Sequence, residues 1–167
     1  GAGSDSLRFG TLQLAGSSLS ASGRETGYAV TAAQSNGDGT VPDGDHEFER
    51  YNLHVQTGDE SQRTDLLLGY QDKFYGWPGA YTGLAALPET DRTKTTLVLG
   101  NHRVSQDAGF IEFGAFYRRL DDDYDFDRRT TEAGEPGSFD HETRAYGIGM
   151  EGLRRGARLE WRYAGQL

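Results

Sequence analysis

Ile111-Glu-Phe-Gly-Ala-Phe-Tyr-Arg118 divides by parity. Ile111, Phe113, Ala115 and Tyr117 fall on one side, and Glu112, Gly114, Phe116 and Arg118 on the other. Successive side chains of a β-strand point to opposite faces, so this period of two marks a strand with one apolar face and one face of small and charged residues. The split recurs along the chain. Tyr146, Ile148 and Met150 oppose Ala145, Gly147, Gly149 and Glu151, and Ala157, Leu159, Trp161 and Tyr163 oppose Arg158, Glu160 and Arg162. Tyr51, Leu53 and Val55 oppose Arg50, Asn52, His54 and Gln56, and Leu66, Leu68 and Tyr70 oppose Leu67, Gly69 and Gln71. Leu97 and Leu99 oppose Val98, Gly100 and His102. Two weaker runs, Leu7 to Ala15 and Gly27 to Gln34, are diluted by Gly and Ser. Together these predict an all-β chain of about eight strands.

Composition narrows the class. Only 35% of the 167 residues are hydrophobic, which argues against a large apolar core. No stretch approaches 18 consecutive apolar residues, so a membrane-spanning helix is excluded. A transmembrane β-barrel is not, because it needs apolar residues only at alternate strand positions. A net charge of -9 argues against a nucleic-acid partner. The absence of Cys removes disulfides, thiolate metal sites and cysteine nucleophiles.

Alternation alone suits both a soluble β-sheet binding module and a membrane barrel. The connections separate the two. Gly16 to Gly23 is followed by the long polar Asn36 to Glu47, the tight Gly58 to Ser61 and the long Tyr75 to Arg92. Then come the short Ser105 to Gly109, the long Asp121 to Glu142 and the short Gly152 to Gly156. Short and long connections in strict alternation are the habit of outer-membrane barrels, with short periplasmic turns and long extracellular loops. The fold expected is therefore antiparallel transmembrane β-barrel strands.

Several runs resemble the barrel of TonB-dependent outer-membrane receptors: the opening stretch, Thr95-Thr-Leu-Val-Leu-Gly-Asn-His-Arg103, Phe113-Gly-Ala-Phe-Tyr-Arg-Arg119 with Asp122-Asp-Tyr-Asp-Phe-Asp127, and His141-Glu-Thr-Arg-Ala-Tyr146. The resemblance covers nearly the whole chain. It implies a bacterial outer-membrane location and contact with outer-membrane lipid. It also implies active uptake of a scarce large solute, such as a metal-siderophore or cobalamin-like compound, driven by TonB acting through an N-terminal plug domain, with no bond chemistry in the barrel wall. Barrels of that family have about 22 strands around a plugged lumen. This chain holds neither the plug nor that many strands, and if the long connections are extracellular both ends lie outside. The expectation is an internal segment of a larger barrel. A small passive or structural barrel of eight strands is the alternative, and a rim hydrolase is a further one, although no nucleophile motif frames a Ser or His here.

Candidate binding residues follow from the loops. Tyr75, Trp77 and Tyr81 lie in Gly69-Tyr-Gln-Asp-Lys-Phe-Tyr-Gly-Trp-Pro-Gly-Ala-Tyr-Thr-Gly83, where a strand ends in an aromatic, Gly- and Pro-rich loop able to stack on a bulky ligand or to anchor at the interface. Tyr124, Phe126 and Arg128 are the matching candidates in the next long connection. Asp121, Asp123 and Asp125 share a strand face and could offer oxygen ligands to a divalent cation, as could the sparser Asn36, Asp38, Asp43 and Asp45. His54 and His102 are expected to face a lumen, as are Arg50, Arg118, Arg144, Arg158 and Arg162 with Glu112, Glu151 and Glu160.

Overall fold

A computed structural model describes residues 1–83, 87–129 and 137–167; parts of the two longest connections lie outside these. Among the described residues every regular element is a strand. They are β1 (Arg8–Leu19), β2 (Glu25–Gly37), β3 (His46–Gly58), β4 (Gln62–Gly76), β5 (Thr90–Gln106), β6 (Gly109–Asp125), β7 (Ser138–Arg155) and β8 (Glu160–Gln166). They form one open antiparallel sheet in sequence order, β1 to β8. The weak runs at the start become full strands of 12 and 13 residues, because β1 and β2 pair along their whole length and β2 pairs in turn with β3. The last strand starts later than expected: Ala157, Arg158 and Leu159 belong to the β7–β8 turn.

The short connections are built by local chemistry. Asp59 accepts hydrogen bonds from the backbone N–H of Ser61 at 2.9 Å and of Gln62 at 3.1 Å, and from the Ser61 hydroxyl at 2.6 Å. These bonds pull its carboxyl down to about 2. At the β5–β6 hairpin Gly109 has φ 151°, and a Cβ there would run into the Leu153 carbonyl of β7.

Directly paired residues share a face, so the register fixes both faces of the sheet. One carries Leu12 and Leu14 of β1, Tyr28 and Val30 of β2, Tyr51, Leu53 and Val55 of β3, and Leu66, Leu68 and Tyr70 of β4. It continues through Val98 of β5, Ile111, Phe113, Ala115 and Tyr117 of β6, Tyr146, Ile148 and Met150 of β7, and Trp161 and Tyr163 of β8. The other face carries Thr31, Arg50, Asn52, His54, Asp65, Gln71, Asn101, Glu112, Arg118, Glu151 and Arg162.

The register corrects three sequence expectations. Leu97 and Leu99 lie on the polar face, Leu99 between Leu67 and Phe116, while Val98 joins the apolar face beside Leu68 and Tyr117. Strand β5 is apolar on both sides here, so parity within the strand could not choose; its neighbours do. His102 accordingly sits on the apolar face, between Thr64 and Phe113, with Nδ1 at 2.8 Å from the Thr64 hydroxyl. Arg144 shares the face of Tyr146 but lies beyond the apolar stretch, where it pairs with Glu142 at 2.5 Å.

The apolar stretch crosses the cross-strand rows obliquely. The row Leu12, Ala32, Tyr51, Tyr70, Thr96, Arg119, Arg144 begins apolar and ends charged. The row Ser18, Thr26, Thr57, Thr64, His102, Phe113, Met150 begins with hydroxyls and ends apolar. The apolar side chains thus form a band slanted across the strands. Nothing among the described residues covers it: Leu12 is 57% and Ile148 61% exposed, and the buried apolar side chains, Tyr124 and Pro88, lie at the long-loop end instead. The opposite face is concave, since His54 of β3, Leu67, Leu99, Phe116 and Gln166 of β8 line one hollow of ≈ 810 Å³.

Gly109→Ala is expected to destabilise the β5–β7 region by about 1–3 kcal/mol through backbone strain and displacement of β7. Gly100→Ala, whose added Cβ meets nothing within 4 Å, is the control. Thermal loss of the β-sheet circular dichroism signal should come at lower temperature in the first variant only.

Candidate functional site

At the end of the sheet that carries the long connections, one polar-face row runs His46, Tyr75, Asp91, Tyr124, Phe139 across β3 to β7. Strand β5 contributes a carboxylate where its neighbours contribute rings. The loop between β4 and β5 fills that gap by bringing Trp77 and Tyr81 in beside the row. The rings then follow one another: Tyr75 to Trp77 at 6.0 Å between centroids, Trp77 to Tyr81 at 5.8 Å, Tyr81 to Tyr124 at 5.0 Å edge-on, Tyr124 to Phe139 at 4.8 Å, and Phe139 to His141 at 4.9 Å. These separations lie in the range where aromatic pairs attract. Tyr124 is the buried centre of the ladder at 7% exposure, whereas Trp77, Tyr81 and Phe139 are exposed.

Glu89 sets the loop. Its carboxylate is fully buried and accepts the backbone N–H of Tyr81 at 2.8 Å and of Thr82 at 3.0 Å, together with the Thr82 hydroxyl. The Tyr124 hydroxyl donates to it as well. Burial by itself would raise this carboxyl, but the donors from Thr82, Tyr81 and Tyr124 outweigh it and hold Glu89 below the usual range. The same burial and the nearby Glu89 charge push Tyr124 up to about 12. The loop is also pinned by Trp77 N–H to the Glu89 carbonyl at 2.7 Å.

The structure thus gathers Tyr75, Trp77, Tyr81 and Tyr124 and adds Phe139 and His141, which sequence reading missed. Their signal was cross-strand pairing of Tyr124 with Phe139, which requires a register that parity does not supply. Phe126 is not in the ladder; it packs where a Cβ on Gly137 would fall, and its N–H bonds the Gly137 carbonyl at 3.0 Å. Arg128 is a tie between loops: it grips Asp45 through both carboxylate oxygens at 2.5 and 3.0 Å, and its guanidinium lies 5.4 Å from the Phe74 ring. That bond holds the Asp45 carboxyl below its ordinary value.

The aspartate candidates for a cation do not converge. Asp121 is held by Arg119 at 2.9 Å, and Asp123 stands opposite Arg92 and Asp140. Burial and the charge of Asp123 raise the carboxyl of Asp125. Among the described residues no three His, Asp or Glu side chains come together as metal ligands. No protein-family model, curated protein or solved structure matches the chain.

Glu89→Gln replaces a pure acceptor with a group whose NH₂ faces other donors, and should cost the loop about 1–3 kcal/mol. The depressed carboxyl fixes the sign of the pH dependence: the anchoring is complete above the ordinary glutamate range and is lost as pH falls through the lower folded value. Trp77 emission should therefore shift on acidification in the parent chain and be shifted already at neutral pH in Glu89→Gln.

Proposed function

We propose that this sheet is part of the wall of a bacterial outer-membrane transport barrel, with its apolar face in lipid, its polar face lining a lumen and the ring ladder at the extracellular mouth. The observation that carries this reading is the slanted apolar band. Barrel strands tilt by about 35–45° to the membrane normal. Rows perpendicular to such strands are inclined to the membrane plane, so a level lipid slab must leave an apolar band that crosses the rows, as this one does. A soluble sheet packed on a second layer has no reason to place Arg119 and Arg144 in the same row as Leu12 and Tyr51.

Three further features support it. Strands of 15 to 18 residues in β4 to β7 exceed the about 9–11 needed to span lipid, leaving length to carry loops above the surface. Beyond the band, on the long-loop side, the apolar face turns to Glu49, Asp72, Lys94, Asp121, Arg119 and Glu142. The polar face holds a wet ladder in which Asp65 takes Gln56 at 2.6 Å, Arg63 at 3.1 Å and His54 at 3.4 Å. Among the described residues the outer edge of β8, and that of β1 beyond its bridge from Arg8 and Phe9 to Gly1 and Ala2, is unpaired, and in lipid an unpaired edge is costly. Further strands of a larger barrel would satisfy them.

Within that class the reading is a TonB-dependent receptor that captures a scarce large solute at its mouth, a metal-siderophore or cobalamin-like compound, with TonB acting through a plug in the lumen. A passive barrel would share the wall. What favours capture is the exposed ladder of Trp77, Tyr81 and Phe139, since a bare pore needs no such platform. Solute accumulation that stops when TonB is deleted supports the receptor, and accumulation unchanged by that deletion overturns it.

Leu53→Arg, at the centre of the band between Val30 and Leu68, should reduce membrane insertion by about 2–4 kcal/mol. Asn52→Arg, one residue away on the polar face, should insert as the parent does. Recovery in the outer-membrane fraction reads the difference.

A further inference from the structure

The ring ladder has a chemical polarity that its capture role leaves open. Asp91 stands at its middle, flanked in the cross-strand row by Tyr75 and Tyr124 and approached by the Tyr81 hydroxyl at 3.4 Å from Oδ2. Its Oδ1 is buried and has no hydrogen-bond partner. Asp122 lies on the same face, opposite Thr93 of β5; burial, the charge of Asp122 and the contact between the two carboxyls raise the Asp91 carboxyl above the usual range. The neighbouring arginines are engaged elsewhere: Arg92 chelates Asp72 on the opposite face at 2.9 and 3.0 Å, and Arg128 holds Asp45. Lys73 faces the same way as Asp91 and relieves it only through space.

A carboxylate beside a second carboxylate, among exposed ring faces, selects by charge. Ring faces attract cations, and a cation with N–H donors would also bond the carboxylate pair. An anion would be repelled, and a neutral alcohol could donate to one carboxylate but would gain nothing from the paired charge. We propose that the mouth of this sheet binds a protonated organic amine or guanidinium with an apolar or aromatic body, its N–H groups on Asp91 and Asp122 and its body against Trp77 and Tyr81. This rests on the capture role proposed above and names the chemical class captured.

The test uses the full chain in detergent micelles with Trp161→Phe, so that Trp77 is the remaining tryptophan. Benzylammonium and the neutral benzyl alcohol are titrated against its emission. Saturable binding of the amine about tenfold tighter than the alcohol is expected, with that preference removed by Asp91→Asn and reduced by Asp122→Asn. Equal binding of amine and alcohol, no saturable binding of the amine, or a preference that survives both substitutions overturns the proposal. Should Asp91→Asn disturb the loop, seen as a shifted Trp77 emission before ligand is added, Asp122→Asn decides alone. Binding in micelles does not depend on lipid orientation, so its failure is distinct from failure of Leu53→Arg to impair insertion.

Discussion

An apolar face with no second layer against it is the constraint from which everything else in this structure follows. A sheet eight strands wide exposes Leu14, Val30, Ile148, Met150 and Trp161 on one side and has almost nothing buried between layers. Contiguous exposed apolar surface on that scale marks an interaction face. Water is the wrong solvent for it, and the chain itself offers no helix or second sheet among its described residues to cover it.

With lipid as the proposed cover, the remaining features acquire causes. In that reading long strands carry the backbone through the slab with length to spare, and charged pairs such as Arg119 with Glu142 at 2.8 Å mark where the face leaves it. The polar face is free to hold water, which is why Asp65 can gather a His, an Arg and a Gln without a hydrophobic core around them. Beyond the slab the strands become a scaffold for loops, and the loops are fastened to each other: Asp45 to Arg128, Gly76 N–H to the Asp45 carbonyl, and Arg128 N–H to the Pro88 carbonyl. Those ties and the Glu89 anchor hold the rings beside one another at the long-loop end of the sheet.

Strand identity was legible in the sequence wherever one face was clearly apolar, as in Tyr51 to Val55 or Ile111 to Tyr117. For β5 the strand was legible but its facing was not, because Leu97, Val98 and Leu99 are apolar in succession and only the pairing with Leu68 and Tyr117 shows which way each points. Four of the six rings of the candidate site were legible as well. Tyr75, Trp77 and Tyr81 cluster in sequence, whereas Phe139 reaches the ladder through a pairing with Tyr124 across a long connection. The tie from Arg128 to Asp45 was not legible, because an exposed loop arginine carries no sign of a partner 83 residues earlier. The slant of the apolar band was invisible without the register, and it is the observation that most favours lipid.

The most direct measurement is spin-label accessibility along β3, with a label placed in turn at Tyr51, Asn52, Leu53, His54 and Val55 in the chain reconstituted in bilayers. Collision with oxygen, which concentrates in lipid, should peak at positions 51, 53 and 55, and collision with a water-soluble nickel complex should peak at 52 and 54. Equal access of the nickel complex to both sets would contradict a lipid-facing apolar side and with it the barrel wall.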